Sequence, residues 1–450
     1  MDIIGISSTN MIKNKLPSTP ASQKITPDFV PMIRIVFWNS MGFFFFSFLI
    51  PYVTAQLLGA SGTQLGFMYA SQIFGALISA PIVGFLTDRF SKKLLVLIGS
   101  FGRGTCYLLM YFGIIFSSLV IFAIGLFVQG FFVGFFWTPL DALISEKSHK
   151  TNRSYAFGKR GGMMGWGNFF GSILSFIIFG IANYFVPNNR FLVYSPLILF
   201  MISNVYAGII FNRHVNEELT YEHYITNIYP PSAEFLIESQ TIDVSSKSQT
   251  HNNIAFGFLV GFIFLTVAFM TSNINQSLAP PFFQVYLIDE IGVNNATMVM
   301  LIYFPSQILS MLLAPKLGKI SDKINPMLGI AIASSLGSLV TWLIVNTTSG
   351  WEFGVILTFD ATFAWAGMLI LQNFVSRVSK SHRGKIFGFT QWMSLFGALI
   401  GPILGGLVWD HISPRAPFII SIFVELSVIP LYFIAIRFLT PYMAEKIEEY

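Results

Sequence analysis

The chain has 450 residues, of which 54% are hydrophobic and only 10% charged, with a mean hydropathy of +0.67. A soluble chain of this length carries roughly a quarter charged residues, so there is too little charge here to cover a water-facing surface. The formal net charge of +5 reflects basic residues gathered in particular loops, which points to membrane topology and away from nucleic-acid binding.

Residues 1–31 are polar and contain Pro and Ser. They lack the short apolar core and small-residue cleavage site of a signal peptide and are expected to be a disordered cytoplasmic leader. Apolar runs of about 20 residues, the length that crosses a hydrocarbon core of about 30 Å, then recur along the chain. The predicted spans are Ile33–Leu57, Gln64–Leu86, Leu94–Phe116, Leu119–Leu143, Gly162–Val186 and Leu192–Ile210 in the first half. Phe256–Leu287, Thr297–Leu317, Met327–Val345, Phe353–Val375, Ile386–Val408 and Phe418–Leu439 follow in the second. The long runs exclude a barrel of short alternating strands, so the fold class is an all-α integral membrane protein of twelve transmembrane helices.

Between the two sets, residues 213–252 carry Glu217, Glu218, Glu222, Glu234, Glu238 and Asp243 with no spanning run. This segment is expected to be a cytoplasmic linker with a short amphipathic helix near Glu234–Ile237. It separates an N-terminal six-helix bundle, 32–212, from a C-terminal one, 253–440, and residues 441–450 form a tail. With the N-terminus inside, Lys and Arg crowd the cytoplasmic segments, while the outer loops hold only Arg190 and Arg415. Both termini are therefore expected in the cytoplasm of a multi-pass cell-membrane protein. Cys106 is the single cysteine, which rules out an intrachain disulfide and assigns it to packing.

A loop motif occurs twice. Gly84-Phe-Leu-Thr-Asp88-Arg89 follows span 2 and Gly318-Lys-Ile-Ser-Asp322-Lys follows span 8; Asp322 stands 234 positions after Asp88. A second pair of landmarks opens spans 5 and 11: Arg153-Ser-Tyr-Ala-Phe-Gly158 and Arg383-Gly-Lys-Ile-Phe-Gly388, 230 positions apart. Two landmarks at nearly one offset indicate a duplicated six-helix unit, with both copies in the same membrane orientation.

On these residues and the twelve-span layout, the chain resembles the major facilitator superfamily over about residues 30–440. The resemblance implies two pseudo-symmetric bundles that rock about a central cavity. Spans 1, 4, 7 and 10 would line it, spans 2, 5, 8 and 11 would form the interface, and spans 3, 6, 9 and 12 would brace the outside. It also implies a cytoplasmic latch, Asp88 against the start of span 11 near Arg383 and Asp322 against the start of span 5 near Arg153. Ser91 stands where the family has Gly. Gly397-Ala-Leu-Ile-Gly401-Pro402-Ile-Leu-Gly405-Gly406 resembles the antiporter signature of drug-efflux branches but lies in span 11 rather than span 5. Leu126-Phe-Val-Gln129-Gly130 resembles an element of the drug/proton antiporters without its Arg.

Ionisable residues within spans are costly and mark candidate sites. Asp360, about seven residues into span 10, is the first candidate for substrate binding or proton coupling, the alternative being a structural carboxylate. Glu425 in span 12 and Arg103 in span 3 are further substrate or coupling candidates, though on bracing helices a structural role is favoured; Asp141, at the cytoplasmic end of span 4, is another candidate and could serve the gate. Trp38 and Asn39 in span 1, Gln129 and Trp137 in span 4, and Asn273 and Gln276 in span 7 are candidate cavity residues suited to an amphipathic solute. Pro280-Pro281 should break span 7.

No phosphate-binding glycine loop followed by Lys, no metal-ligand spacing and no convincing nucleophile–base pair occurs. The expected protein is a cofactor-free secondary transporter working as a monomer in lipid, moving a small solute and, in one version, a coupling proton or ion. Proton-coupled efflux of amphipathic compounds, metabolite uptake, and a non-transporting receptor or scaffold on the same fold are the alternatives.

Overall fold

The computed structural model describes residues 25–149, 152–228, 256–321, 324–378 and 383–442. Among the described residues eleven helical segments are long and apolar enough to cross a membrane. In the remaining expected position, span 8, the helix runs Ala296–Ser321 with a shorter apolar stretch, Ala296–Ser306. Most predicted ends fall within a few residues of the helices: Gly62–Thr87 for span 2, Leu119–Glu146 for span 4 and Ala416–Leu439 for span 12. Span 5 begins nine residues earlier than expected, at Arg153. The proposed amphipathic helix near Glu234 lies outside the described residues; the linker's described helix is Tyr221–Ile228.

The first helix of each half is broken near its middle or outer part. Span 7 runs Phe256–Leu278, turns through Pro280–Phe282 and resumes as Phe283–Asp289, as the two prolines require. Span 1 breaks without a proline inside the break: Phe29–Ser40, a turn at Met41–Gly42, then Phe43–Pro51 and a wide turn over Tyr52–Leu57. The backbone groups freed there find side chains from neighbouring spans. Asn168 of span 5 accepts from the Phe44 N–H at 2.8 Å, and Arg103 of span 3 donates to the Asn39 carbonyl at 3.0 Å.

Within each half, a glycine stripe seats one helix on the broken one. A Cβ on Gly167 or Gly171 of span 5 would strike the carbonyls of Phe37 and Met41 in span 1. A Cβ on Gly397 or Gly401 of span 11 would strike those of Met270 and Ile274 in span 7. Gly397 follows Gly167, and Gly401 follows Gly171, by the same 230 positions that separate Arg153 and Arg383. The duplication thus extends to backbone packing, and these glycines serve packing inside each half, where small residues allow helices to approach closely.

The two halves meet away from the basic loops. A Cβ on Gly66 of span 2 would collide with the Pro402 carbonyl of span 11, and one on Gly406 would lie 2.7 Å from the Thr63 Cα. Phe304 of span 8 packs against Phe44 of span 1 and Phe176 of span 5, with ring centroids 6.0 and 5.8 Å apart. Toward the basic face, an added Cβ on Gly84, Gly158, Gly161 or Gly162 would meet nothing within 4 Å.

The first stretch of the linker belongs to the N-terminal half. The buried Lys147 ammonium, at the end of span 4, pairs with Asp28 at 2.7 Å and donates to the carbonyls of Asn216 and Leu219 at 2.6 and 2.9 Å, which uses all three of its N–H groups. Ile25 forms an isolated bridge with Ser148, so the end of the expected leader is docked rather than loose.

Candidate solute cavity and gates

A cavity of about 430 Å³ lies in the C-terminal half, walled by spans 7, 9, 10, 11 and 12. Asp360 and Glu425 both line it, with Asn273, Asn275 and Gln276 and the rings of Phe269, Phe283, Phe363 and Tyr432. Among the described residues that line it there is no Lys, Arg or His. Glu425, expected on a bracing helix, faces this cavity: span 12 presents it inward, and it accepts from Asn275 Nδ2 at 2.6 Å, while Ser421 Oγ donates to Asn275 Oδ1 at 2.8 Å. Tyr432 and Ser272 complete a polar strip at 3.1 Å. A uniformly apolar helix such as span 12 gives no periodic signal for which side faces a cavity, and that is why the sequence places Glu425 on a bracing face.

A second cavity of about 270 Å³ lies between the halves. Ser47, Pro51, Tyr69 and Ile73 contribute from spans 1 and 2; Gln284, Tyr303 and Ser306 face them from spans 7 and 8. Gln276, Pro280, Phe283 and Asp360 line both cavities and so lie between them. Gln284 was not singled out by sequence, although an amide four residues after Pro280 in an aromatic and aliphatic run is a signal of the same kind as Gln276.

The other expected cavity residues do other work. Trp38 packs edge-on against Tyr206 of span 6 at 5.1 Å and Asn39 is fully buried, so both face the bracing helices rather than the cavity. Arg103, 0% exposed, donates to the Asn39 side chain and carbonyl and lies over the rings of Phe43 and Phe136 at 4.9 and 5.5 Å. Asn39 in turn donates to Ser100 Oγ at 2.9 Å. This network locks the break in span 1 to span 3. Gln129 accepts from Gln72 Nε2 of span 2 at 2.6 Å, where Gly130 lets the two helices touch backbone to backbone. Trp137 instead carries the Arg160 guanidinium 4.4 Å from its ring, and Arg160 pairs with Asp141 at 3.2 Å. Asp141 therefore ties span 4 to span 5 inside one half.

At the basic face Asp88 and Arg153 are exposed, and Arg89 lies 4.0 Å above the Phe85 ring. Gly318 lies within the helix Ala296–Ser321 and Arg383 opens Arg383–His411, while Asp322 is outside the described residues. Ser91 has a clear purpose: it caps span 3, accepting from the Leu94 N–H at 3.1 Å, and donates to Glu217 of the linker. Glu217 also accepts from the Lys92 N–H at 2.6 Å, a carboxylate at the positive end of a helix.

The opposite face is closed by a carboxylate that crosses between halves. Asp410 at the end of span 11 accepts from the N–H groups of Gly62 and Thr63 at 2.8 and 2.7 Å. Ser61 and Gln64 satisfy the neighbouring donors of span 2 reciprocally, at 2.9 and 3.3 Å, leaving none of its first N–H groups unmet. Trp409 stacks on Phe282 at 5.3 Å beside this contact, and Gln56 donates to Asp289 at 3.0 Å.

The model of the Major Facilitator Superfamily matches residues 35–379. The chain is 26% identical over 415 residues to a multi-drug resistance efflux pump PmrA homolog of Lactococcus lactis subsp. lactis, covering 88% of this chain and 93% of that one. It is 25% identical to the multidrug resistance protein MdtG of Serratia proteamaculans, over 85% of this chain and 87% of that one. A class H tetracycline resistance protein of Pasteurella multocida is 25% identical over 78% of this chain and 80% of its own. Among solved structures, a bacterial homolog of the human lysosomal transporter Spinster, inward-facing and occupied, superposes with a TM-score of 0.66 at 12% identity, over 93% of this chain and 98% of that one. The nucleoside transporter NupG superposes with a TM-score of 0.61 at 13% identity, over 92% and 99%. With its duplicated bundles, paired broken helices and family match across most of its length, this chain belongs to the Major Facilitator Superfamily and is a multi-pass membrane transporter of small solutes.

Proposed function

We propose that the protein exports amphipathic, drug-like solutes across the cell membrane in exchange for protons that enter through Asp360 and Glu425. The observation that carries this reading is the 430 Å³ cavity, with two carboxylates, aromatic walls and no basic side chain among the described residues of its lining. Such a site favours a cation with apolar surface, by charge and by ring contact. Carboxylates held in a poorly solvated cavity also bind and release protons as their surroundings change. The similarity to multidrug and tetracycline resistance proteins supports efflux over uptake.

With the basic face cytoplasmic, the closed face is extracellular and the conformation is inward-facing, ready to load solute from the cell. Asp88 and Asp322 would engage the starts of spans 11 and 5 in the opposite, outward-open state. The test is transport in proteoliposomes with an imposed proton gradient, using tetraphenylphosphonium and tetracycline as solutes. Gradient-driven accumulation in wild type, lost in Asp360→Asn while equilibrium solute binding persists, is the expected result. Accumulation that is equally steep in Asp360→Asn removes Asp360 from coupling.

A further inference from the structure

We infer that Gln284 is the hydrogen-bonding determinant of a polar subsite between the two halves, which takes an amide, carbonyl or hydroxyl group of the solute. The inference rests on the transporter reading above and adds to it the place where a polar group is recognised. Gln284 is 1% exposed, and neither its Oε1 nor its Nε2 has a hydrogen-bond partner among the described residues. A buried primary amide offers two donors and an acceptor with two lone pairs, so all of this capacity is unmet. Buried polar groups in folded proteins are nearly always partnered, and an exception calls for an explanation such as a ligand.

The surroundings supply one. Gln284 lines the 270 Å³ inter-half cavity together with Ser47, Tyr69, Tyr303 and Asp360. Two nearby hydroxyls are occupied by their own helices, Ser306 with the Tyr303 carbonyl at 2.7 Å and Ser277 with the Asn273 carbonyl at 2.9 Å. The rest of the short helix Phe283–Asp289 is packed apolar up to Ile288: Phe283, Val285, Leu287 and Ile288 are buried, and Tyr286 donates to the Val345 carbonyl at 2.9 Å. A Leu or Met would fill the space of Gln284 without leaving an amide unsatisfied. The break at Pro280–Phe282 is what turns this short helix so that its one amide meets the cavity.

The subsite borders the larger cavity, with Gln276, Pro280, Phe283 and Asp360 in the wall of both. An elongated amphipathic solute would place its apolar, cationic body in the C-terminal cavity and its polar end at Gln284. Because Ser47 and Tyr69 come from the other half, the subsite is complete only when the halves close over it.

Two measurements test this. In a Cys106→Ala background, Gln284→Cys in inverted membrane vesicles is exposed to a trimethylammonium methanethiosulfonate reagent. Labelling is expected; absence of labelling, with labelling restored after denaturation, shows a sealed position and overturns the subsite. Dissociation constants for tetracycline, which carries a carboxamide and several hydroxyls, and for tetraphenylphosphonium, which has no hydrogen-bonding group, are then compared in wild type and Gln284→Leu. The preference for tetracycline over tetraphenylphosphonium is expected to fall about tenfold or more, equivalent to about 1.4 kcal/mol. An unchanged ratio overturns the role of Gln284. If Gln284→Leu does not fold, Gln284→Met takes its place. If neither probe binds wild type, the drug-efflux reading fails, and the labelling result still decides whether Gln284 faces a space open to solute.

Discussion

Replacing Asp410 with Ala should open the face that the structure holds closed. The carboxylate makes two charge-assisted bonds, at 2.8 and 2.7 Å, to the first N–H groups of span 2. Such bonds contribute about 1.5–3 kcal/mol each where shielded. Asp410 is exposed, and solvent screening reduces each to about 1 kcal/mol. The contact joins the two halves, so its full value of about 2 kcal/mol bears on the equilibrium between states, a shift of about 30-fold in their ratio. Asp410→Asn keeps one acceptor oxygen and should shift the ratio about fivefold. Spin labels on cysteines at Asn188 and Asn346, exposed at this face in the N- and C-terminal halves, would report the separation by pulsed dipolar spectroscopy in a Cys106→Ala background. Long distances should gain population in the order wild type, Asp410→Asn, Asp410→Ala. Indistinguishable distributions for wild type and Asp410→Ala would refute the latch.

The same labels should register the reverse for Asp88→Asn: if Asp88 latches the basic face in the alternate state, its loss lowers the share of long distances. Gly406→Val should raise that share, because an added Cβ lies 2.7 Å from the Thr63 Cα and the backbones must part; thermal unfolding of the same sample should change less than the distance distribution. Lys147→Met leaves Asp28 and the carbonyls of Asn216 and Leu219 without their shared donor and should lower unfolding stability by about 3 kcal/mol. Adding Asp28→Asn should recover part of that loss, read as a higher denaturation temperature than for Lys147→Met alone.

Span positions, the halves and the break in span 7 were legible because each depends on a local property: run length, a repeated motif, adjacent prolines. The break in span 1 was not, since Met41–Gly42 resembles many unbroken stretches and the turn is held by Arg103 and Asn168 from distant parts of the chain. The place of Asp360 beside a cavity follows from its depth in span 10 together with the family resemblance, which has that span lining the cavity. Gln129 and Trp137 share a broad helix side by spacing, yet one meets Gln72 and the other Arg160, since a helix in a bundle has several neighbours around its circumference. Gly397 and Gly401 stood out as a stripe, but their partner, span 7, is set by the tertiary arrangement.

The clasp around Lys147 also fixes where this polypeptide is divisible. By composition the N-terminal bundle ends near residue 212, but Asn216, Glu217 and Leu219 hold Lys147 and the start of span 3. A gene cut at 213 would strip the first fragment of groups that complete its own helix ends and leave them stranded on the second. A cut placed after Ile228 keeps them with the helices they serve, so two separately expressed fragments have their best prospect of reassembly there.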